Sequence, residues 1–412
     1  MREPPAGGCA RSGCRAARTQ LANNTAMTPR PFRIHVEDDV LADLARRLHR
    51  TRWTRLVPGD SWELGTSRPY LERLLAYWSD GYSWRRQEAD LNQLPQFTAD
   101  IDGVRLHFVH QPADRPQGRA LLLLHGWPDS FHRFHKVIPR LSRSFDVVVP
   151  SLPGFGFTGR IARPSPGQPI RQDAQLLWRL MTGLGYRRFG VAGGDGGSAL
   201  AQRMAIDHPE SVAGIHVTDL GWHTGNVDPA ALPHHEKKYV ERLKKLFMTD
   251  GAYAALQASK PASLAPALAD SPSGLAAWIV DRFHAWCDDL DGTITRDELL
   301  TNLMIYWVTG TIGPSIDSYR ADAASPSLTP ADRVDVPVGL ALFPADRGGI
   351  PPRSFAERTL NVQRWAEMPR GGHFAALEQP ELYAGELEAF FAPPQIARPG
   401  AREEDRDVHP AV

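Results

Sequence analysis

The stretch GVAGGDGGSALAQRMA, residues 190–205, sets one acidic residue, Asp195, among glycines between an apolar run and a helix-forming segment. A carboxylate at such a junction can cap the helix by accepting N–H groups that its first turn leaves without partners. It can also stand on a nucleophile elbow, a strand-to-helix turn that strains its central residue and requires small residues two positions away on either side. Gly193 and Gly197 meet that requirement around Asp195, whereas Ser198 fails it because Leu200 would take the second small position. Gly194 has no role that the sequence assigns. The helix dipole favours the ionised carboxylate. Serine attacking a saturated carbon would leave an ether that water cannot readily cleave. Aspartate leaves an ester, which an oxyanion hole and an activated water can hydrolyse. The elbow reading therefore points to an sp3 carbon carrying a leaving group.

Three further segments supply partners for that chemistry. LLLLHGWPDSF (121–131) ends a buried-strand pattern with His125-Gly126-Trp127-Pro128, where the backbone N–H of Trp127 could join that of Gly196 in an oxyanion hole; a simple turn fits the same residues. EMPRGGHFAALEQPELYAGEL (367–387) carries His373 after two glycines, as a general base reaching back over a sheet or as a surface-loop histidine. In LALFPADRGG, Asp346 can accept the imidazole N–H or merely form a turn. The chain order nucleophile, acid, histidine is the α/β-hydrolase order.

These residues need a scaffold that gathers them. From residue 97 short β-type runs alternate with helical stretches: VRLHFVHQ, ALLLLHG, FDVVVPSLPG, FGVAGG and VAGIHV, then much later VPVGLALFPAD and RWAEMPRGG. Uninterrupted apolar runs suit strands buried on both faces, and their alternation with helices predicts a mostly parallel central sheet in an α/β fold. Residues 221–330 break the rhythm with helical material and read as a lid over the carboxyl ends of the strands. Segments such as VEDDVLADLARRLHRTRW and YLERLLAYWSDGYSWRRQEADLN predict an amino-terminal helical meander. The expected organisation is a disordered or mis-assigned start (1–28), an amino-terminal wrapping region (29–95), the first part of the core (96–220), the lid (221–330), the second part of the core (331–392) and a disordered tail (393–412).

Lysine plus arginine and aspartate plus glutamate balance at 47 each, so no global field recruits nucleic acid or an anionic membrane, and a neutral small substrate fits better. No apolar run reaches the roughly 18 residues that would suggest a membrane span. Cys9, Cys14 and Cys287 show no metal spacing and leave an odd thiol, which suggests a reducing, cytoplasmic setting. GFGFTG (154–159) matches a dinucleotide fingerprint, but the prolines at 164, 166 and 169 oppose the helix that must follow it. The histidines at 132, 135, 234 and 235 lack HExxH spacing or a carboxylate cluster, so no metal is expected.

Read together, these segments resemble the microsomal-type epoxide hydrolase family of the α/β-hydrolase fold, from about Pro31 to Phe391. The markers are PFRIHVEDDVLADLARRL, YWSDGYSWRRQEADLNQLPQF, LLLLHGWP, VPSLPGFGF, GGDGGS, DSPSGLAAWIVDRF, YWVTGTIGPSIDSY and MPRGGHFAALEQPE. The resemblance implies a triad of Asp195, His373 and Asp346. It also implies two lid tyrosines that hydrogen-bond the epoxide oxygen, Tyr253 in DGAYAALQASKP and Tyr319 in TGTIGPSIDSYRAD. The implied reaction joins a small-molecule epoxide and water into a vicinal diol with no cofactor. Gly196 departs from the family pattern, which commonly places tryptophan there, and so removes a large wall of the pocket. Two rival readings are a haloalkane dehalogenase, disfavoured because Gly196 supplies no indole for the halide, and a non-catalytic α/β-hydrolase that senses a small apolar ligand. A homodimer is the oligomer considered, and the sequence leaves that state open.

Overall fold

The apolar runs assemble into one sheet. In the computed structural model, which describes residues 27–54, 61–115, 118–159, 169–221, 229–324, 328–329 and 331–392, the strands are β1 (Arg30–Pro31), β2 (Gln96–Ile101), β3 (Val104–Gln111), β4 (Ala120–Leu124), β5 (Asp146–Pro150), β6 (Phe189–Gly193), β7 (Val212–Val217), β8 (Val334–Leu342) and β9 (Leu360–Glu367). Of the disordered or mis-assigned start expected for 1–28, residues 1–26 lie outside the described residues, as do the tail from 393, Cys9 and Cys14, while Met27 is described and packs against the core. The order across the sheet is β1-β2-β3-β5-β4-β6-β7-β8-β9. Pairs from β1 through β3–β5 are antiparallel, and every pair from β5–β4 to β8–β9 is parallel. β4 and β6 are buried along their whole length, as the LLLL and GVAG runs require of strands covered on both faces.

β2 is an element that the apolar runs do not reveal. Its tie to β3 is legible in the dipeptide between them: Ile101 pairs Val104, and Asp102 and Gly103 turn the chain with φ of 51° and 80°. Asp-Gly is a strong two-residue hairpin signal because both positions need positive φ.

The amino-terminal helices are α1 (Asp38–His49), α2 (Arg68–Asp80) and α3 (Trp84–Leu91). The single helical pattern across 70–92 is broken at Gly81, and Ser83 caps α3 by accepting the N–H of Arg86. The core adds α4 (Ile138–Leu141), α5 (Pro169–Gly183) and α6 (Gly196–Asp207). Seven helices then form the lid: α7 (His234–Asp250), α8 (Ala252–Ser259), α9 (Pro261–Asp270), α10 (Pro272–Trp286), α11 (Leu290–Thr293), α12 (Arg296–Thr309) and α13 (Ile312–Ala324). After β8 come α14 (Arg353–Ala356), α15 (Ala375–Glu378) and α16 (Pro380–Phe390).

α12 carries no single apolar face: Leu299 through Tyr306 are all buried, because the helix lies between the core and the amino-terminal region. Thr295 and Glu298 close a capping box at its start, and Gly310 ends it in the left-handed conformation, φ 64°. The amino-terminal region holds the lid by direct bonds. Tyr77 donates to Asp297 at 2.7 Å, Thr66 to the Ala277 carbonyl at 2.6 Å, and Trp62 stacks on His284 with ring centroids 3.7 Å apart. Among the described residues no helix is long and apolar enough to cross a membrane.

Candidate active site

Parallel pairing fixes which loops meet. Leu124 of β4 pairs Gly193 of β6, and Gly193 pairs Val217 of β7, so the segments beginning at His125, Gly194 and Thr218 emerge side by side. Asp195 heads α6 with φ 56° and ψ −126°, a conformation that non-glycine residues rarely adopt. Crowding makes the turn this tight. A Cβ at Gly193 would lie 2.6 Å from the Gly197 backbone, and one at Gly197 would lie 2.2 Å from the Leu124 carbonyl oxygen. Gly194, unassigned by sequence, has the same constraint: its Cβ would meet Thr218 Oγ1 at 2.6 Å.

Oδ1 of Asp195 accepts the Trp127 N–H at 3.0 Å and the Gly196 N–H at 2.6 Å. The second bond is a helix cap. A cap alone needs neither the first bond, which comes from another loop, nor a positive φ. The carboxylate also lies directly on Gly126, where a Cβ would come within 2.4 Å of Oδ1. The other oxygen, Oδ2, is 3.8 Å from His373 Nε2, which makes no hydrogen bond among the described residues.

His373 Nδ1 lies 3.3 Å from Asp346 Oδ2. Burial alone would lower the imidazole pKa, but the carboxylates of Asp346 and Asp195 outweigh it and raise the group to about 9. The resting site therefore holds imidazolium at neutral pH. His125, by contrast, is fully buried and pushed down to about 3 by burial. Its neutral ring accepts the Leu152 N–H at 3.1 Å and shapes the loop.

The sequence reading missed the groups that hold these residues in place. Asp219, two residues beyond β7, accepts the N–H of Asp195 at 2.7 Å and that of Gly221 at 2.9 Å. Burial, reinforced by the Asp346 carboxylate, raises its carboxyl to about 6. Glu378 brackets His373 by accepting from Gly372 N at 3.0 Å and Phe374 N at 2.9 Å, and it reaches the lid through Asp288 N at 2.8 Å. Burial raises its carboxyl as well. Fully buried Arg133 donates to the His373 carbonyl at 2.5 Å and pairs with Asp129, whose own carbonyl accepts the Tyr306 hydroxyl at 2.7 Å. The only sequence signal for these residues was a charged type in an otherwise apolar stretch.

The lid brings both expected tyrosines over the carboxylate, Tyr253 from α8 and Tyr319 from α13. Their ring centroids are 6.1 Å apart. Trp127 stacks on Tyr253 at 5.4 Å and meets Tyr319 edge-on at 5.8 Å, so one indole braces both rings. Burial raises the pKa of both hydroxyls, which keeps them protonated as donors. Two cavities open onto Asp195, of about 460 Å³ on the His373 side and about 410 Å³ on the Gly196 side.

The histidines weighed as ligands are placed otherwise. His132 and His135 stack at 4.2 Å, His235 bonds Ser354, and no group of three metal-binding side chains occurs among the described residues. The residues expected to oppose a helix after GFGFTG lie largely outside those described, and Thr158 of that segment bonds the Ser151 carbonyl at 2.6 Å. Cys287 is a buried free thiol.

Residues 29–134 match the family model described as epoxide hydrolase N terminus, and residues 119–277 match that of the alpha/beta hydrolase fold. Epoxide hydrolase 1 of Sus scrofa is 33% identical, with 88% of each chain covered. The solved structure of Aspergillus niger epoxide hydrolase superposes with a TM-score of 0.79 at 27% identity, covering 89% of this chain and 96% of that one. Juvenile hormone epoxide hydrolase from the silkworm Bombyx mori also gives 0.79, at 28% identity, covering 88% and 94%. With its mostly parallel sheet, helical lid and relatives matched over most of their length, the chain belongs to the epoxide hydrolase family of α/β-hydrolase enzymes.

Proposed function

We propose that the protein converts an epoxide and water to a vicinal diol through a covalent ester on Asp195. The observation that carries this reading is the division of labour between the two carboxylate oxygens. Oδ1 sits in a pair of backbone N–H donors, while Oδ2 lies towards His373 at the cavity. Oδ2 attacks a ring carbon, the carbon–oxygen bond of the ring breaks, and Tyr253 and Tyr319 donate to the departing oxygen. The proton given up by a tyrosine is restored from the His373 imidazolium, which leaves a neutral imidazole beside the ester.

That imidazole, oriented by Asp346, then takes a proton from water as the water attacks Cγ. The Trp127 and Gly196 N–H groups hold the oxyanion that develops at Oδ1. Collapse releases the diol with Oδ2, and the new acid of Asp195 ionises, its proton passing to the alkoxide. The site ends as it began, with carboxylate and imidazolium. The chemistry calls for no cofactor.

A single turnover with enzyme in excess in heavy-oxygen water tests the route. Label should enter Asp195 and be absent from the first diol released. Label going straight into that diol would mean direct attack by water, and the ester would have to be abandoned.

A further inference from the structure

The two cavities at Asp195 share Asp195, Gly221 and Phe247 and otherwise have different walls. Tyr253 and His373 line the first, and Tyr319, Trp127 and Gly196 the second. An oxygen held between the two tyrosines therefore sits on the boundary. The ring carbons attached to it must face both ways. We infer that the substrate is an internal epoxide bearing an apolar group on each ring carbon, one group in each cavity. This rests on the proposed ring opening at Asp195.

Gly196 is what lets the second cavity reach the nucleophile. A Cβ there would meet only Gly126 Cα, at 3.9 Å, and the residue has no positive φ, so neither crowding nor the backbone demands glycine. Its smallness leaves space for substrate, unlike that of Gly193 and Gly197, which the turn itself requires, and of Gly194, which Thr218 crowds. The far walls of this cavity are Leu152, Phe155, Ile170, Leu200 and Leu328, with Ala258 from the lid. No lysine or arginine is among its described lining residues, while Asp173 and Asp322 are, which disfavours an anionic arm. On the other side Val240, Leu243 and Leu246 from α7 supply an apolar wall; Lys244 and Arg347 also line this cavity, with Arg347 paired to Asp250, so the charge argument applies to the Gly196-side arm alone. Each cavity falls within the range of roughly 300–1,000 Å³ that holds a small ligand, so a one-armed substrate leaves one of them unused.

The test compares 5,6-epoxydecane, with a butyl arm on each carbon, against 1,2-epoxyhexane, which has one. Each buried methylene contributes about fourfold, so a second butyl arm should raise kcat/KM on the order of a hundredfold. Leu243→Trp obstructs the first cavity and Ala258→Trp the second. Either substitution alone should bring the ratio of the two kcat/KM values close to one. The wild-type ratio is decisive without any variant. Equal or better turnover of 1,2-epoxyhexane overturns the two-arm reading while leaving epoxide hydrolysis intact, and so does a loss caused by one substitution only. Diol from neither epoxide, with the protein folded, would remove the proposed hydrolysis itself.

Discussion

His373 should be a different base in the two halves of the cycle. In the free enzyme its ring lies 3.3 Å from Asp346 and 3.8 Å from Asp195. With an effective dielectric near 20, these pairs are worth about 5 and about 4 kcal/mol, against which burial works. The balance lifts the imidazole from 6.5 to about 9. Forming the ester removes the charge of Asp195, and losing that attraction, about 4 kcal/mol before screening by the surroundings, moves the imidazole down from its raised value. On the proposed route, alkylation would thereby create the base that hydrolysis needs. Rapid mixing of excess enzyme with substrate between pH 5 and 10, followed through the indoles of Trp127 and Trp286, separates ester formation from its decay. Decay should rise with pH through an apparent value well below the one near 9 at which imidazole resonances of the free enzyme titrate. Decay that rises only around 9, or a free-enzyme value near 6.5, would refute the reasoning. The same shift affects stability. A histidine raised in the folded state stabilises fully below about 6.5, and that contribution, on the order of 3 kcal/mol, is lost as pH rises through about 9.

Four substitutions probe the remaining parts. Tyr253→Phe or Tyr319→Phe should each slow ester formation about a hundredfold, with ester decay unchanged in single turnovers, as expected for donors to the opening ring alone. Glu378→Gln leaves one acceptor oxygen for the N–H groups of Gly372, Phe374 and Asp288. It should lower stability by about 1–3 kcal/mol per stranded donor in a urea melt and slow ester decay more than ester formation. Gly126→Ala places a methyl 2.4 Å from Asp195 Oδ1. It should displace the carboxylate and cut ester formation at least about a hundredfold, with a much smaller change in melting behaviour.

Local rules were enough to read several features from the chain. A strained turn needs small neighbours, so the spacing of Gly193, Asp195 and Gly197 marks an elbow wherever it occurs. Strands buried on both faces need unbroken apolar runs, which made β4, β5 and β6 legible, and a histidine after two glycines at a strand end marked the loop that carries His373. The hairpin of β2 and β3 was also within reach, through Asp102-Gly103. The break between α2 and α3 at Gly81 was harder, because the apolar spacing continues across it.

Tertiary structure decided whatever depends on neighbours distant in sequence. Asp219 reaches the backbone of Asp195 because β6 and β7 pair in parallel register, and no local pattern distinguishes it from a turn aspartate. Glu378 serves His373 because its helix folds back beneath the loop and the lid delivers Asp288 N–H to the same carboxylate. Glycine has one composition but several physical causes. Gly126 and Gly194 are small because a carboxylate and a threonine hydroxyl press on them, whereas Gly196 is small where space is open. Telling these apart requires the atoms that each missing side chain would meet, and the fold alone brings those atoms together.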